Sequence, residues 1–176
     1  MNRPAVALFV CGAAMSIAAL FGCTENNPPP GQPSFYRDLA QPDAALDADV
    51  AQSMISGYRG NNGLGPVTLD PELMRLAGEQ AQAMAARDKL DQDAGHPFQE
   101  RIRKSGVDAS VAVENIAAGY HTLAEAFSGW RDSPPHRANM LNSGVTRMGI
   151  AAVYTAKSKY KVYWTLILAA PDAHHS

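Results

Sequence analysis

Three polar residues, Glu114, Asn115 and His136, stand out by their position in the sequence. Glu114 and Asn115 interrupt an apolar stretch that runs from Val111 to Ala118. An unpaired buried charge is costly, so a carboxylate there must be either partnered or functional. His136 directly follows two prolines, which fix the direction in which the chain approaches it. A carboxylate and a neutral imidazole could act together as general base and metal ligand, or simply hydrogen-bond to each other.

The sequence lacks the residues that several other kinds of catalytic or binding site require. The sequence contains no phosphate-binding P-loop, no HExxH, no GxSxG and no CxxC motif. Its two cysteines, Cys11 and Cys23, both precede the domain, which therefore has no catalytic thiol. Lys and Arg number 15 against 17 Asp and Glu, for a formal net charge of -2. Without a basic excess to neutralise phosphates, we expect no nucleic-acid partner.

The N-terminus is typical of an export signal. One arginine precedes an uncharged run from Ala5 to Gly22, which is the pattern of a secretory signal peptide. The run is also long enough for an uncleaved membrane anchor, but its Ala and Gly content favours the signal. Residues Leu20–Cys23 resemble the bacterial lipobox, in which the cysteine thiol is acylated and becomes the mature N-terminus. This resemblance predicts a signal peptide over 1–22, lipidation at Cys23, and an extracytoplasmic lipoprotein held on a bacterial membrane in the periplasm or at the cell surface.

The composition changes after the lipobox. Residues 24–34 contain four prolines and two asparagines. Such a segment forms an extended, semi-rigid spacer. We therefore expect a lipidated cysteine and Pro-rich linker over 23–40, one domain over 41–172, and a short tail over 173–176.

Apolar spacing predicts that helices come first in the domain and strands later. Asp70 followed by Pro71 is a strong helix start, and Thr122 with Glu125 forms a capping box. The predicted helices precede the predicted strands and do not alternate with them as in βαβ units. This order indicates an α+β fold with an antiparallel sheet. The predicted helices cover 44–58, a segment from 71, 98–104 and a segment from 123, and the predicted strands cover 113–116, 148–154 and 161–169.

The order of these motifs resembles the bacterial branch of the CAP superfamily, whose domain is also called the SCP domain. The resemblance extends from about residue 44 to residue 170 and is carried by Glu114–Gly119, Trp130, Ser133–Leu141 and Met148–Ile150. It implies a three-layer α-β-α sandwich with a shallow cleft. In the family, that cleft carries up to two histidines and two acidic residues.

The chain matches only part of that cleft set. Glu114 and His136 match one acid and one histidine, Gln92 stands at the second histidine position, and Ser133 stands at the second acidic position. His96, four residues after Gln92, would contribute an imidazole only from a displaced loop. Zinc usually takes three or more His, Cys or carboxylate ligands. Because Glu114 and His136 are the only matched candidates for a divalent metal such as zinc, no cofactor is certain and the set argues against metal-dependent hydrolysis.

The leading hypothesis is a lipid-anchored binding module of the bacterial cell envelope with a cleft around Glu114 and His136. Its partners would be the membrane, through Cys23, and a small apolar ligand or lipid, a peptide or a protein. Asn115 would hydrogen-bond local backbone and fix Glu114. One alternative is a weak metal-assisted hydrolase or peptidase that uses Glu114 and His136. The other is a purely structural envelope lipoprotein in which these two residues lock their segments together.

Overall fold

The computed structural model of the protein describes residues 31–171, so the expected signal peptide, Cys23 and the tail lie outside the described residues. A four-stranded sheet forms the middle of the domain, with the strand order β1-β3-β4-β2. The two long C-terminal strands form a hairpin, and β4 also pairs antiparallel with β2. The strands are β1 (Thr68–Leu69), β2 (Val111–Ala118), β3 (Arg147–Tyr154) and β4 (Val162–Ala170).

Helices cover both faces of this sheet. The helices are α1 (Ala48–Asn61), α2 (Pro71–Arg87), α3 (Phe98–Ser105), α4 (Leu123–Asp132) and α5 (Pro134–Met140), and a short 3-10 turn covers Ser34–Tyr36. All nine residues of β4 are buried, and they alternate between the two layers. Trp164 and Leu166 pack with residues of α1, α4 and α5, whereas Ile167 and Ala169 pack with residues of α2 and α3. The expected three-layer α+β sandwich is therefore confirmed.

Local signals set the starts of two helices. The side chain of Asp70 accepts hydrogen bonds from the backbone N–H groups of Glu72 and Leu73 at 2.9 and 3.0 Å, with Pro71 in the first helical position. The capping box at Thr122 and Glu125 is also present. Both predictions hold because each cap is decided within four residues of chain.

Three features differ from the sequence expectations. No helix is predicted at residues 134–140, yet Pro134 occupies the first turn of α5, where its missing N–H is not needed. The short strand β1 pairs parallel with β3, so the sheet is mixed rather than wholly antiparallel. Leu39 is only 4% exposed and joins the core, so the packed domain includes residues of the expected linker that precede residue 41.

A buried arginine fastens the end of α1 to the loop between α5 and β3. Arg59 is 1% exposed. It donates hydrogen bonds to the carbonyl oxygens of Gly65, Met140, Asn142 and Val145 at 2.8–2.9 Å. Within residues 31–171 it forms no ion pair with a carboxylate, so backbone carbonyls alone satisfy its charge.

Residues 31–171 include no helix with the length and apolar character needed to cross a bilayer.

We predict that Gly149→Ala lowers the free energy of unfolding by about 3 kcal/mol or more. A Cβ atom at Gly149 would lie 2.1 Å from the carbonyl carbon of Leu73 in α2, a backbone atom that cannot move alone. Gly57→Ala is the matched control, because Gly57 is exposed in α1 and a Cβ there meets nothing within 4 Å. That control should be neutral or stabilising by up to about 1 kcal/mol. Urea unfolding of both variants measures the difference, and equal stability would contradict the close packing of α2 on β3.

Candidate functional site

The strand β2 directs its two motif residues to opposite faces of the sheet. Ala112 packs with the α2 and α3 layer, whereas Val113 packs with the core shared by α1, α4 and α5. By alternation, Glu114 faces α2 and α3, and Asn115 faces α5. Their hydrogen bonds agree with this assignment, since Glu114 bonds to Arg101 of α3 and Asn115 bonds to α5.

Glu114 forms a buried ion pair. Both of its carboxylate oxygens accept from Nη2 of Arg101, at 2.9 and 2.8 Å, and Oε2 also accepts from the side-chain amide of Gln92. The side chain of Glu114 is 0% exposed and that of Arg101 is 7% exposed. Burial raises the pKa of Glu114 to about 7, while the charge and hydrogen bonds of Arg101 act in the opposite direction.

A first cavity lies beside this ion pair. Its volume is about 440 Å³. We call it the Gln92 cavity; it is lined by Gln92, Asp93, Phe98, Gln99, Ala112 and Asn139, with Pro97, Val113 and Glu114. The loop that carries Gln92 is fixed from α2, because Nε2 of Gln80 donates to the carbonyl oxygens of Asp91 and Gln92 at 2.9 and 3.0 Å.

Asparagine side chains join β2 to α5. Nδ2 of Asn115 donates to the carbonyl oxygen of His136 at 3.0 Å. Nδ2 of Asn139 donates to Oδ1 of Asn115 at 2.8 Å and to the carbonyl oxygen of Glu114 at 3.1 Å. We call this set the asparagine clasp. Asn115 therefore bonds to the second motif, 21 residues away, rather than to the local backbone expected from the sequence.

A second cavity lies on the other side of the clasp. It has a volume of about 250 Å³, and its walls are mainly apolar: Leu90, Ile116, Ala118, Tyr120 and Trp130, with Ala117 and Gly129. His136, Ser133 and the hydroxyl group of Tyr120 are polar groups of its lining, and we call it the His136 cavity. The phenol ring of Tyr120 lies against Gly129, where a Cβ atom would meet its hydroxyl oxygen at 2.3 Å.

The imidazole of His136 is neutral and free to bind. Burial lowers its pKa from the usual 6.5, so the neutral form predominates at pH 7. No residue within 31–171 hydrogen-bonds to its ring nitrogens, and none links it to the hydroxyl of Ser133. The ring can therefore accept a hydrogen bond from a ligand.

The structure brings together some of the predicted site residues and separates others. Glu114 contacts Gln92, and His136 shares a cavity with Ser133. Glu114 and His136 line different cavities, and among residues 31–171 no hydrogen bond or ion pair joins their side chains. His96 is exposed, and only its backbone carbonyl is engaged, by Nε of Arg101 at 3.0 Å.

The residues present do not fit a zinc site. Within residues 31–171, no group of three His, Cys, Asp or Glu side chains lies close enough to share an ion. Both oxygens of Glu114 already accept from a guanidinium group, and the two candidate metal ligands, Glu114 and His136, line separate cavities.

Sequence reasoning missed the partner of Glu114. Arg101 is not among the candidate residues predicted from the sequence, yet it is buried in α3, where Arg103 and Lys104 are exposed. The useful signal was the aromatic Phe98 one turn earlier, whose ring lies 5.2 Å from the guanidinium carbon. Combined with the requirement that a carboxylate in an apolar strand have a partner, this spacing identifies Arg101.

These features define a CAP domain. The sequence model of the CAP family, described as the cysteine-rich secretory protein family, matches residues 52–168, and the chain belongs to that family.

Known relatives cover the domain but differ in length. The chain is 33% identical over 103 residues to the uncharacterized protein YkwD of Bacillus subtilis, across 57% of this chain and 40% of that protein. It also resembles an extracellular SCP-domain protein from Bacillus anthracis (22% identity, TM-score 0.61, 69% of this chain and 39% of that one). An outer surface protein from Borrelia burgdorferi matches at 19% identity and a TM-score of 0.65, over 73% of this chain and 98% of that one. These two structures support the fold, and the chain spans about two fifths of the two Bacillus proteins.

We predict that Glu114→Gln changes how stability depends on pH. The pKa of Glu114 in the folded state, about 7, lies above its usual 4.5. Between pH 4.5 and pH 7 the folded protein therefore binds more protons at this site than the unfolded protein does. This contribution to stability is present below pH 4.5 and is lost as the pH rises through 7. Relative to the variant, the wild type should lose about 3 kcal/mol between pH 4.5 and pH 8.

Chemical unfolding at four pH values across this range measures the effect. Glu79→Gln is the control, since that carboxylate is exposed and pairs only with Arg75 of the same helix. Parallel pH profiles for the wild type and the Glu114 variant would contradict the raised pKa.

Proposed function

We propose that this protein is a ligand-binding domain whose site is the His136 cavity. The observation that supports this most directly is a neutral imidazole without a protein partner among residues 31–171, set among apolar walls. Small-molecule sites commonly combine an apolar lining with few polar groups that fix orientation. His136 would orient the ligand by accepting a hydrogen bond, and Ser133 offers a second polar group at the same wall.

The size of the cavity restricts the ligand. Its volume of about 250 Å³ lies just below the ~300–1,000 Å³ of typical small-molecule sites. The ligand, or the part of it that enters, is therefore small and mainly apolar, with one hydrogen-bond donor. A hydroxylated ring or the end of a lipid has this chemistry, in keeping with an apolar small molecule as partner.

We further propose that the domain is held at the bacterial cell envelope by a lipid on Cys23, after removal of residues 1–22. The lipobox-like Leu20–Cys23 and the proline-rich segment that follows support this. Two similar structures, of an extracellular protein from Bacillus anthracis and an outer surface protein from Borrelia burgdorferi, are in keeping with an extracytoplasmic location.

A structural role for Glu114 has its own support. Its carboxylate is fully buried and hydrogen-bonded to Arg101 and Gln92, as a locking group would be. The hydrolase alternative requires Glu114 and His136 to reach one substrate, and their separate cavities offer it no support. We therefore assign ligand binding to His136 and positioning to Glu114.

The first test concerns the anchor. In a bacterial host, wild-type protein should incorporate labelled fatty acid and lose residues 1–22, whereas Cys23→Ser should incorporate no label. Cys11→Ser is the control and should behave like the wild type. Wild-type protein that partitions into detergent without label and keeps residues 1–22 would show instead that the apolar N-terminal run is an uncleaved anchor.

The second test concerns the cavity. We expect 4-methylphenol to bind more tightly at pH 7.5 than at pH 5, with a midpoint below 6.5, because protonation removes the acceptor nitrogen of His136. His136→Ala should weaken binding by about 3- to 10-fold at pH 7.5 and abolish its pH dependence. His96→Ala, at an exposed histidine outside the cavity, should leave both unchanged. Titration by NMR measures the affinity, and equal binding by the wild type and His136→Ala would exclude this site.

A further inference from the structure

The outer edge of β2 has an alternating pattern of open backbone groups. Among residues 31–171, β2 stands at the end of the sheet order and pairs with β4 alone. The N–H of Gly119 donates in register to the carbonyl of Val162, so the odd-numbered residues of β2 bond to β4. Residues 112, 114, 116 and 118 therefore direct their N–H and C=O groups away from the sheet.

Two of these outward carbonyls are already occupied. The carbonyl of Glu114 accepts from Asn139, and that of Ile116 accepts from Nε1 of Trp130 at 3.4 Å. By contrast, no partner from residues 31–171 bonds to the N–H or C=O of Ala112 or to the N–H of Glu114. The carbonyls of Glu114 and Ile116 are thus closed to an added strand, whereas both groups of Ala112 and the amide of Glu114 are open.

The open part of this edge forms one wall of the Gln92 cavity. Ala112 and Glu114 line that cavity together with the amide side chains of Gln92, Gln99 and Asn139. Amide side chains both donate and accept, as peptide groups do. Exposed sheet edges next to such pockets bind extended peptides by adding a strand, with backbone hydrogen bonds giving affinity and the pocket giving specificity.

The charge at the cavity favours one kind of peptide. Asp93 lines the cavity, is exposed, and forms no ion pair within residues 31–171. The one other carboxylate of the lining, that of Glu114, is already paired with Arg101. A basic side chain on the bound peptide would therefore meet an uncompensated negative charge.

We propose that the open edge of β2 at Ala112 and Glu114 binds a short extended peptide that carries a basic residue. The peptide pairs with the N–H and C=O of Ala112 and the N–H of Glu114, and its basic side chain approaches Asp93. The added strand is short, because Asn139 and Trp130 close the edge beyond. This site is separate from the His136 cavity and does not depend on the function proposed for it.

The test uses the tripeptide Ala-Lys-Ala, acetylated and amidated, with the full folded domain. NMR titration should shift the amide signals of Ala112 and Glu114, and hydrogen exchange at these two amides should slow. Methylation of the peptide backbone nitrogens should abolish binding, because it removes the donors. Asp93→Asn, or Glu in place of Lys in the peptide, should weaken binding by about fivefold.

Two protein variants separate this site from the other one. Ala112→Pro removes an outward N–H, which an edge strand tolerates, and should abolish peptide binding while leaving 4-methylphenol binding intact. His136→Ala should do the reverse. Binding that survives both backbone methylation and Ala112→Pro would overturn strand addition. Peptide-induced shifts confined to the His136 cavity would also overturn it, and so would the absence of any shift. None of these outcomes would affect the 4-methylphenol test.

Discussion

The asparagine clasp is the interaction on which both cavities depend. A helix of seven residues, such as α5, is too short to be stable in water by itself, so tertiary contacts must hold it. The clasp provides hydrogen bonds from Asn115 and Asn139 along its length, at 2.8–3.1 Å. Arg59 fixes its C-terminal end through the carbonyls of Met140 and Asn142. With both attachments made, α5 lies against the outer edge of β2, with the Gln92 cavity on one side of the clasp and the His136 cavity on the other.

This arrangement gives the two motif residues different electrostatic surroundings. Glu114 lies in the α2 and α3 layer with a buried cation beside it, whereas His136 lines a cavity among apolar and aromatic groups. Burial acts on both in the direction that favours the neutral form, raising the pKa of the carboxyl and lowering that of the imidazole. The imidazole still reaches a cavity, but the carboxylate does not reach solvent, so only His136 is available to a ligand.

The sequence predicted well what is decided locally. The cap at Asp70, the capping box at Thr122 and the alternation of the C-terminal strands need only neighbouring residues, and each appears in the structure. The family resemblance supplied the layer order. The positions of α5 and of Leu39 were missed because they depend on contacts with distant segments. Leu39, for example, is fixed by its N–H donating to the carbonyl of His121 at 2.7 Å, 82 positions along the chain.

The candidate site was predicted only in part, again because its contacts join segments that are distant in the sequence. The requirement that Glu114 have a partner follows from elementary electrostatics and is met, but composition alone did not distinguish Arg101 from the exposed Arg103. The joining of the two motifs was also expected. It is made by amides rather than by the carboxylate and the imidazole, because β2 turns adjacent residues to opposite faces.

The cation beside Glu114 is the guanidinium group of Arg101, and its presence disfavours a metal ion at the same carboxylate. A guanidinium group 2.8 Å from Oε2 supplies the positive charge that a metal would otherwise bring to this carboxylate. A divalent ion at the same oxygens would be repelled by Arg101, and in a poorly solvated interior that repulsion is weakly screened. Gln92 adds a neutral donor to the same carboxylate without adding charge. The ionic centre is therefore complete with protein groups alone, which suits a residue that positions the wall of a binding cavity rather than one that takes part in a reaction.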